Sequence, residues 1–116
     1  MNEPILTVNF FVTAAGKEPV RDFLRALTAE DRKAIGTDIK EVQFGWPLGM
    51  PLVRKMGQGL WEVRSRIPDG IARVMFTVVD HRMVLLHGFV KKSEKTPANE
   101  LETAQKRLRQ IQRGAK

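Results

Sequence analysis

Hydrophobic positions divide the N-terminal part of the chain into segments of two different periods. Ile5 to Val12 is an apolar run rich in β-branched and aromatic residues, and Thr13-Ala14-Ala15-Gly16 ends it. Such a run predicts a first, buried strand. From Pro19 the period becomes helical, and one face carries Val20, Phe23, Leu24 and Leu27. A helix therefore follows the first strand.

A second helix is predicted directly after the first. Thr28-Ala29-Glu30-Asp31 resembles a capping box, the pattern with which helices begin. The apolar face of this helix consists of Ile35, Ile39 and Val42. The segment Gly45 to Pro51 ends it, because its prolines lack the amide donor of a helix and its glycines favour turns.

Three strands are predicted in the second half of the chain. Leu60 to Ile67 is joined to Ile71 to Val79 by Pro68-Asp69-Gly70, and this second run is joined to Met83 to Val90 by Asp80-His81-Arg82. Both connections are short and rich in turn residues, as in antiparallel hairpins. The three strands therefore form an antiparallel meander.

A last helix follows the meander. Thr96-Pro97 is typical of the residues that cap and begin a helix. The side chains predicted to face inward are Leu101, Ala104, Leu108 and Ile111, and those predicted to face outward are Lys106, Arg107, Arg109 and Arg113.

The element order predicts an α+β domain. An N-terminal strand and two helices are followed by the three-stranded antiparallel meander, which completes one sheet, and by a C-terminal helix. A chain of 116 residues has room for one core, so residues 1–116 are expected to form a single domain.

Composition narrows the functional classes. The chain carries a formal charge of +7, which attracts polyanions such as RNA, DNA, an acidic membrane surface or an acidic protein. It has no cysteine, which excludes disulfides and thiolate chemistry. Neither a signal-like N-terminus nor a membrane-length apolar stretch occurs in the sequence, so we expect a cytoplasmic protein without membrane association.

The first hairpin places two arginines opposite each other. If Pro68-Asp69 occupies the centre of the turn, Arg64 lies opposite Arg73, on the strand face that also carries Glu62 and Arg66. Opposed like charges destabilise a sheet by roughly 0.2–1 kcal/mol, so we expect an anion between them. The alternative is a bulge at Gly70, which would separate the two arginines.

The second hairpin, read in the same way, brings further residues into register. It places Gly88 opposite Arg73, where a glycine would let a ligand backbone approach, and Lys92 on the arginine face. His87 falls on the face of Val63, Val74 and Phe89, which favours a packed histidine over a general base. We expect Trp46 and Trp61 to be core residues rather than base-stacking platforms.

Several kinds of site have no matching pattern in the sequence. The glycines at 45, 49, 57 and 59 lack the Lys-Ser/Thr and helix context of a nucleotide-binding loop. With only His81 and His87, the sequence offers neither a Ser-His-Asp set nor a metal cluster. We therefore predict no metal and no small-molecule cofactor.

Three segments resemble the phage-derived, HigB-type branch of the RelE/ParE toxin superfamily. They are Leu60-Trp61-Glu62-Val63-Arg64, Gly70-Ile71-Ala72-Arg73-Val74-Met75-Phe76, and the run from Val84-Leu85-Leu86-His87-Gly88-Phe89 through Val90-Lys91-Lys92-Ser93-Glu94-Lys95 to Thr96-Pro97. The likeness continues through Ala104 and Arg107. It implies a RelE-like fold and a toxin of a two-gene toxin–antitoxin module. It also implies ribosome-dependent cleavage of messenger RNA, which inhibits translation, and a helix-turn-helix antitoxin as partner.

The resemblance also implies which residues act. Basic residues on the central strands, here Arg64 and Arg73, bind the scissile phosphate, and basic residues after the last strand correspond to Lys91, Lys92 and Lys95. The chain has no tyrosine, so a RelE-like tyrosine role has no occupant. Arginine can neutralise charge but cannot act as a base, whereas a lysine can carry a proton, provided that neighbouring cations and burial lower its pKa.

We therefore predict a metal-independent endoribonuclease. The catalytic residues are Arg64, Arg73, Lys92 and Lys95, with Arg73 as phosphate clamp and Lys92 or Lys95 as proton carrier. The residues assigned to RNA binding are Arg54, Lys55, Arg66 and Lys91. Two alternatives remain open, since fold does not fix function: a ParE-like toxin that inhibits DNA gyrase, and a non-catalytic RNA- or protein-binding module.

Overall fold

The computed structural model describes residues 3–114 and confirms an α+β fold. Three helices and five strands occur in this range, in the order β1 (Thr7–Phe10), α1 (Pro19–Arg25), α2 (Ala29–Gly45), β2 (Val53–Gly57), β3 (Leu60–Ile67), β4 (Gly70–Val79), β5 (Arg82–Lys91) and α3 (Ala98–Gly114). Within residues 3–114, no helix is both long and apolar enough to cross a membrane.

All five strands form one sheet in the order β1-β5-β4-β3-β2. β1 runs parallel to β5, and the other neighbours are antiparallel. The prediction of a three-stranded antiparallel meander is therefore wrong by one strand. β2 pairs antiparallel with β3, so the meander has four strands. β2 escaped prediction because its burial follows no alternation: Val53 is buried, whereas Arg54 and Lys55 are both exposed.

The first strand is shorter and less buried than predicted. β1 covers Thr7 to Phe10 only, and exposed positions alternate in it with half-buried ones. The buried residues are its flanks, Leu6 and Phe11. β1 is less buried than predicted because it lies at the sheet edge, with a neighbouring strand on one side only.

The helices α1 and α2 cover one face of the sheet, which we call the α1/α2 face. Val20 of α1 is buried, as are the predicted α2 residues Ile35, Ile39 and Val42. They pack in one cluster with strand residues of this face such as Val63, Val74 and Phe76. The predicted cap is also confirmed, since the Thr28 hydroxyl accepts a hydrogen bond from the Asp31 amide at 3.1 Å.

The two tryptophans belong to the same side of the molecule, as predicted. The rings of Trp46 and Trp61 meet edge to face with centroids 5.0 Å apart, and both contact Phe76. They pack against the core cluster beneath α1 and α2. Both tryptophans therefore serve packing.

The helix α3 lies on the opposite face, the α3 face. Its Ala104 and Leu108 pack on Met75, Leu86 and Phe89. Arg107 was predicted to face outward, and this is wrong. The Arg107 guanidinium Nη1 donates to the Leu86 carbonyl at 2.8 Å, and burial lowers the pKa of Arg107. The long arginine stem reaches back over the helix face while its head satisfies a strand carbonyl.

Candidate functional site

The β3–β4 hairpin brings the two predicted arginines together. Ile67 pairs with Gly70, and Arg64 pairs directly with Arg73. The register is continuous from Trp61 to Ile67, so the alternative of a bulge at Gly70 is wrong. Gly70 has a φ of 143°, a region that side chains other than glycine rarely adopt, and this permits the tight turn.

The anion expected between the arginines is supplied by the chain itself. Glu62 is fully buried, and its Oε1 accepts a hydrogen bond from Arg64 Nη1 at 3.0 Å. The same oxygen lies 3.9 Å from Arg73 Nε. The other oxygen, Oε2, accepts from the Thr96 hydroxyl at 2.6 Å. Glu62 is thus held on both oxygens and offsets the repulsion between the two guanidinium groups.

Arg73 is the most deeply placed cation of the site. Its side chain is 0% exposed, its Nη2 donates to the Ser93 carbonyl, and it lies 5.6 Å from the centre of the Phe89 ring. Its Nε and Nη1 are buried and have no hydrogen-bond partner among residues 3–114. Burial, and after it the neighbouring Arg64, lowers the pKa of Arg73. Two donors of this buried cation are therefore without a hydrogen-bond acceptor in the described part of the chain, and one of them, Nε, faces Glu62 across 3.9 Å.

The β4–β5 register departs from the prediction halfway along. Val79 pairs with Arg82 as the turn implies, but the register then shifts between Met75 and Phe76, so that Leu86 is an extra residue. Beyond this bulge, Arg73 pairs with Phe89 and not with Gly88. The predicted pairing of Gly88 with Arg73 is therefore wrong.

Gly88 is required by a helix and not by a ligand. A Cβ at this position would lie 2.5 Å from Cδ2 of Phe23, on α1. That distance is shorter than real side-chain contacts allow. The missing side chain therefore admits an aromatic ring on the α1/α2 face, the side of the sheet opposite Arg73.

The same bulge moves His87 onto the α3 face, contrary to the prediction. His87 Nε2 lies 2.6 Å from Glu100 Oε1, and its Nδ1 lies 3.3 Å from Arg107 Nη1. Because arginine can only donate, the Arg107 contact is a hydrogen bond when Nδ1 carries no proton, and in that tautomer Nε2–H donates to Glu100. Both ring nitrogens are engaged, so His87 joins β5 to α3 as a packed histidine.

The remaining predicted residues are distributed over the surface. Arg54 pairs with Glu62 and so lies on the α3 face, whereas Lys55 pairs with Trp61 and lies on the opposite one. Arg66 is 81% exposed, with its Nη2 at 3.8 Å from Glu94. Lys91, Lys92 and Lys95 are exposed at the end of β5 and just beyond it. The structure thus gathers Arg54, Arg64, Arg66 and Arg73 and separates Lys55 from them.

Three polar partners were missed by sequence reasoning. Glu94 accepts from Arg64 Nη2 at 2.8 Å, Thr96 donates to Glu62, and Glu100 accepts from His87. The sequence gives only one indication of this polar network, the strand alternation that puts Glu62 on the same face as Arg64. Thr96 and Glu100 reach the site only through the path of the chain after β5, which periodicity does not describe.

The arrangement favours anion binding. Two guanidinium groups lie side by side on a rigid sheet, and exposed cations flank them. Guanidinium groups bind phosphate through charge and paired donors. Within residues 3–114, no group of three or more histidine, aspartate or glutamate side chains is placed to hold a metal ion.

Comparison with known proteins identifies the family. No curated protein matches the chain. The family model described as phage-derived protein Gp49-like (DUF891) matches residues 22–109, which run from within α1 to within α3 and include every residue of the site. This is a RelE-like, toxin-like family of toxin–antitoxin systems, which implies an antitoxin as partner. The chain therefore belongs to the Gp49-like, phage-derived family of toxin-like proteins.

Proposed function

We propose that the chain is a HigB-type toxin with a RelE-like fold that cleaves messenger RNA in the ribosomal A site and so inhibits translation. The observation that carries the proposal is Arg73, a buried arginine directly beside Arg64, two of whose donors have no hydrogen-bond partner among residues 3–114. A pair of guanidinium groups suits the charge of a phosphodiester. The family and the net charge of +7 support the same class of ligand.

The reaction needs charge neutralisation and proton transfer. The ribose 2′-oxygen forms a bond to the adjacent phosphorus while the bond from phosphorus to the 5′-oxygen breaks, leaving a cyclic phosphate and a 5′-hydroxyl. A base takes the proton of the 2′-hydroxyl, and an acid gives one to the leaving oxygen. No nucleophilic side chain, metal or cofactor is needed for this balance.

The roles follow from position. Arg64 and Arg73 neutralise the charge that grows on the phosphate, and Glu62 holds the two guanidinium groups in place. Lys92 and Lys95 are exposed directly after β5 and carry the protons. Arg54, Arg66 and Lys91 bind the RNA backbone, and Lys55, which was assigned the same role, lies on the opposite face of the sheet.

The partners follow from the same proposal. The toxin acts in the cytoplasm on ribosome-bound messenger RNA, and a helix-turn-helix antitoxin restrains it. An acidic antitoxin surface would associate quickly with a protein of charge +7. Raising ionic strength should therefore slow their association.

The test is cleavage of messenger RNA on programmed ribosomes, read by primer extension. A double variant, Lys92→Gln with Lys95→Gln, should lose about 10²–10⁴ in rate if these lysines carry the protons. Lys33→Gln with Lys40→Gln removes the same charge from exposed positions of α2 and is the matched control. The control should cleave nearly as fast as the parent.

Other outcomes would contradict the proposal in distinct ways. Intact messenger RNA together with blocked DNA supercoiling would indicate a gyrase inhibitor of the ParE kind. Intact messenger RNA, normal supercoiling and retained RNA binding would indicate a non-catalytic binding module. Equal rates for the two double variants would remove Lys92 and Lys95 from the catalytic assignment.

A further inference from the structure

The segment between β5 and α3, residues 92–97, crosses the arginine pair, and we call it the strap. Its Ser93 carbonyl accepts from Arg73 Nη2. The carbonyl and the carboxylate of Glu94 accept from Arg64 Nη2 at 3.2 and 2.8 Å. The strap therefore presents oxygen atoms to both guanidinium groups, which is what a phosphate would also do.

The strap is fixed at its two ends and lightly held between them. At one end, the backbone of Lys91 lies so close to Gly70 that a Cβ there would be 2.9 Å from the Lys91 carbonyl oxygen. At the other end, buried Thr96 donates to Glu62 at 2.6 Å. Residues 92–95 between these points are exposed and contain no helix or strand. Local opening of this segment exposes little apolar surface.

Glu94 is the charged contact of the strap. Its side chain is 72% exposed, whereas the Arg64 side chain that it covers is only 8% exposed. A solvated carboxylate gains little from an ion pair, because water competes for it and salt screens it. Release of Glu94 therefore costs little free energy, and it exposes the otherwise buried side chain of Arg64.

The Ser93 carbonyl is a weaker acceptor for Arg73 than a phosphate would be. A carbonyl oxygen carries only a partial charge, and it engages Nη2 alone, leaving Nε and Nη1 without a hydrogen bond among residues 3–114. A phosphate oxygen carries more charge and could engage more than one of these donors. Arg73 is thus better satisfied by a phosphate than by the strap.

We propose that the strap is an internal competitor of RNA: Ser93 and Glu94 occupy the donors of Arg73 and Arg64 until an RNA phosphate displaces them. This inference rests on the proposed function for the identity of the ligand. Once Glu94 has moved away, Lys92 and Lys95 remain on the displaced segment next to the bound RNA, as their proposed role in proton transfer requires. The free toxin is then partly self-inhibited, independently of its antitoxin.

The first arm of the test measures binding of a short single-stranded RNA by fluorescence anisotropy. Glu94→Gln keeps the shape of the side chain and removes its charge. We expect the affinity to rise about two- to fivefold above that of the control, the range that an exposed ion pair contributes. The control is Glu102→Gln, which makes the same charge change at an exposed position of α3.

The second arm needs no RNA. An arginine-selective dicarbonyl reagent, followed by peptide mass spectrometry, reports how often Arg64 becomes accessible. In Glu94→Gln the modification rate of Arg64 should rise several-fold, while exposed Arg25 on α1 reacts equally in all variants. Glu94 is mostly solvated, so the variant should unfold within a few degrees of the parent.

The outcomes separate the strap from the proposed function. An unchanged Arg64 rate, or an RNA affinity that rises equally in both variants, overturns the competitor role of Glu94. Weaker RNA binding by Glu94→Gln also overturns it, because Glu94 would then assist the ligand. A raised Arg64 rate with no RNA binding by any protein, the parent included, leaves the strap standing and overturns RNA as its ligand.

Discussion

The sheet has a helical layer on each face, and the two layers cover different chemistry. On the α1/α2 face the buried residues form one apolar cluster that extends from Leu6 and Val53 to Val74 and Leu85. On the α3 face an apolar cluster beneath the helix gives way to the buried ions Glu62 and Arg73. One sheet therefore separates a conventional core from a partly charged one.

The difference shows where stability and function are located. Buried apolar surface contributes about 25 cal/mol per Å² to stability and needs no special geometry. Buried ions are expensive to desolvate, and a buried pair is often no better than apolar residues of similar volume. The α1/α2 face thus specifies and stabilises the fold, whereas the charges of the α3 face add little stability and have a role in the function proposed above.

The substitution Glu62→Gln is expected to have the largest effect on stability and tests this contrast most directly. It preserves the volume of the side chain but leaves Arg73 and Arg64 without their buried counter-ion. Loss of one partner of a buried ion pair typically costs about 3–5 kcal/mol. The midpoint of urea unfolding should fall accordingly, with an unchanged dependence on denaturant.

The matched control lies beside α1. Glu18 pairs with Arg21 at 2.5 Å, but both side chains are substantially exposed, at 34% and 43%. Glu18→Gln should therefore cost at most about 0.5 kcal/mol. If the two substitutions cost the same, the buried network contributes no more than a surface ion pair, and the contrast between the faces is lost.

A smaller effect is expected for Gly88→Ala. The new methyl group would overlap the Phe23 ring, so α1 must shift or the strand must move. Overpacking of this kind costs about 1–3 kcal/mol, measurable in the same unfolding experiment. Gly36→Ala, in α2 with no atom within 4 Å of the added Cβ, should instead gain about 0.5–1 kcal/mol. A neutral Gly88→Ala would argue against tight packing of α1.

The smallest effect concerns the contact that joins α3 to β5. Glu100→Gln weakens the acceptor of His87 and should cost about 1 kcal/mol. Hydrogen exchange should then accelerate in α3 and remain unchanged in α2. The neighbouring exposed Glu102→Gln should leave both helices as they are. Equal exchange in the two variants would show that His87 and Glu100 do not hold the helix.

Much of the fold followed from local patterns. The helical period and the cap at Thr28 gave α2, and two turn-rich connections gave three of the strands in the correct pairing order. These features are encoded within a few neighbouring residues. β2 was missed because an edge strand with Arg54 and Lys55 exposed in succession shows neither alternation nor an apolar run.

The site was predictable only as far as the first hairpin. The opposition of Arg64 and Arg73 depends on one short turn, and it is confirmed. The position of His87 depended on a bulge at Leu86, which no local residue pattern announces. Burial of Glu62 and Arg73 depends on the strap, a contact made by a distant part of the chain, and alternation says nothing about it.

The pairing of β1 with β5 also sets an order of events during synthesis. Thr7 finds its partner only when Arg82 has been made, whereas β2, β3 and β4 precede β5 in the chain and can already pair with one another. Contacts between such distant segments form late, because a long loop has to close. The N-terminal segment of the nascent chain therefore waits without its sheet partner until translation has passed β5, and the finished sheet is a late product of translation.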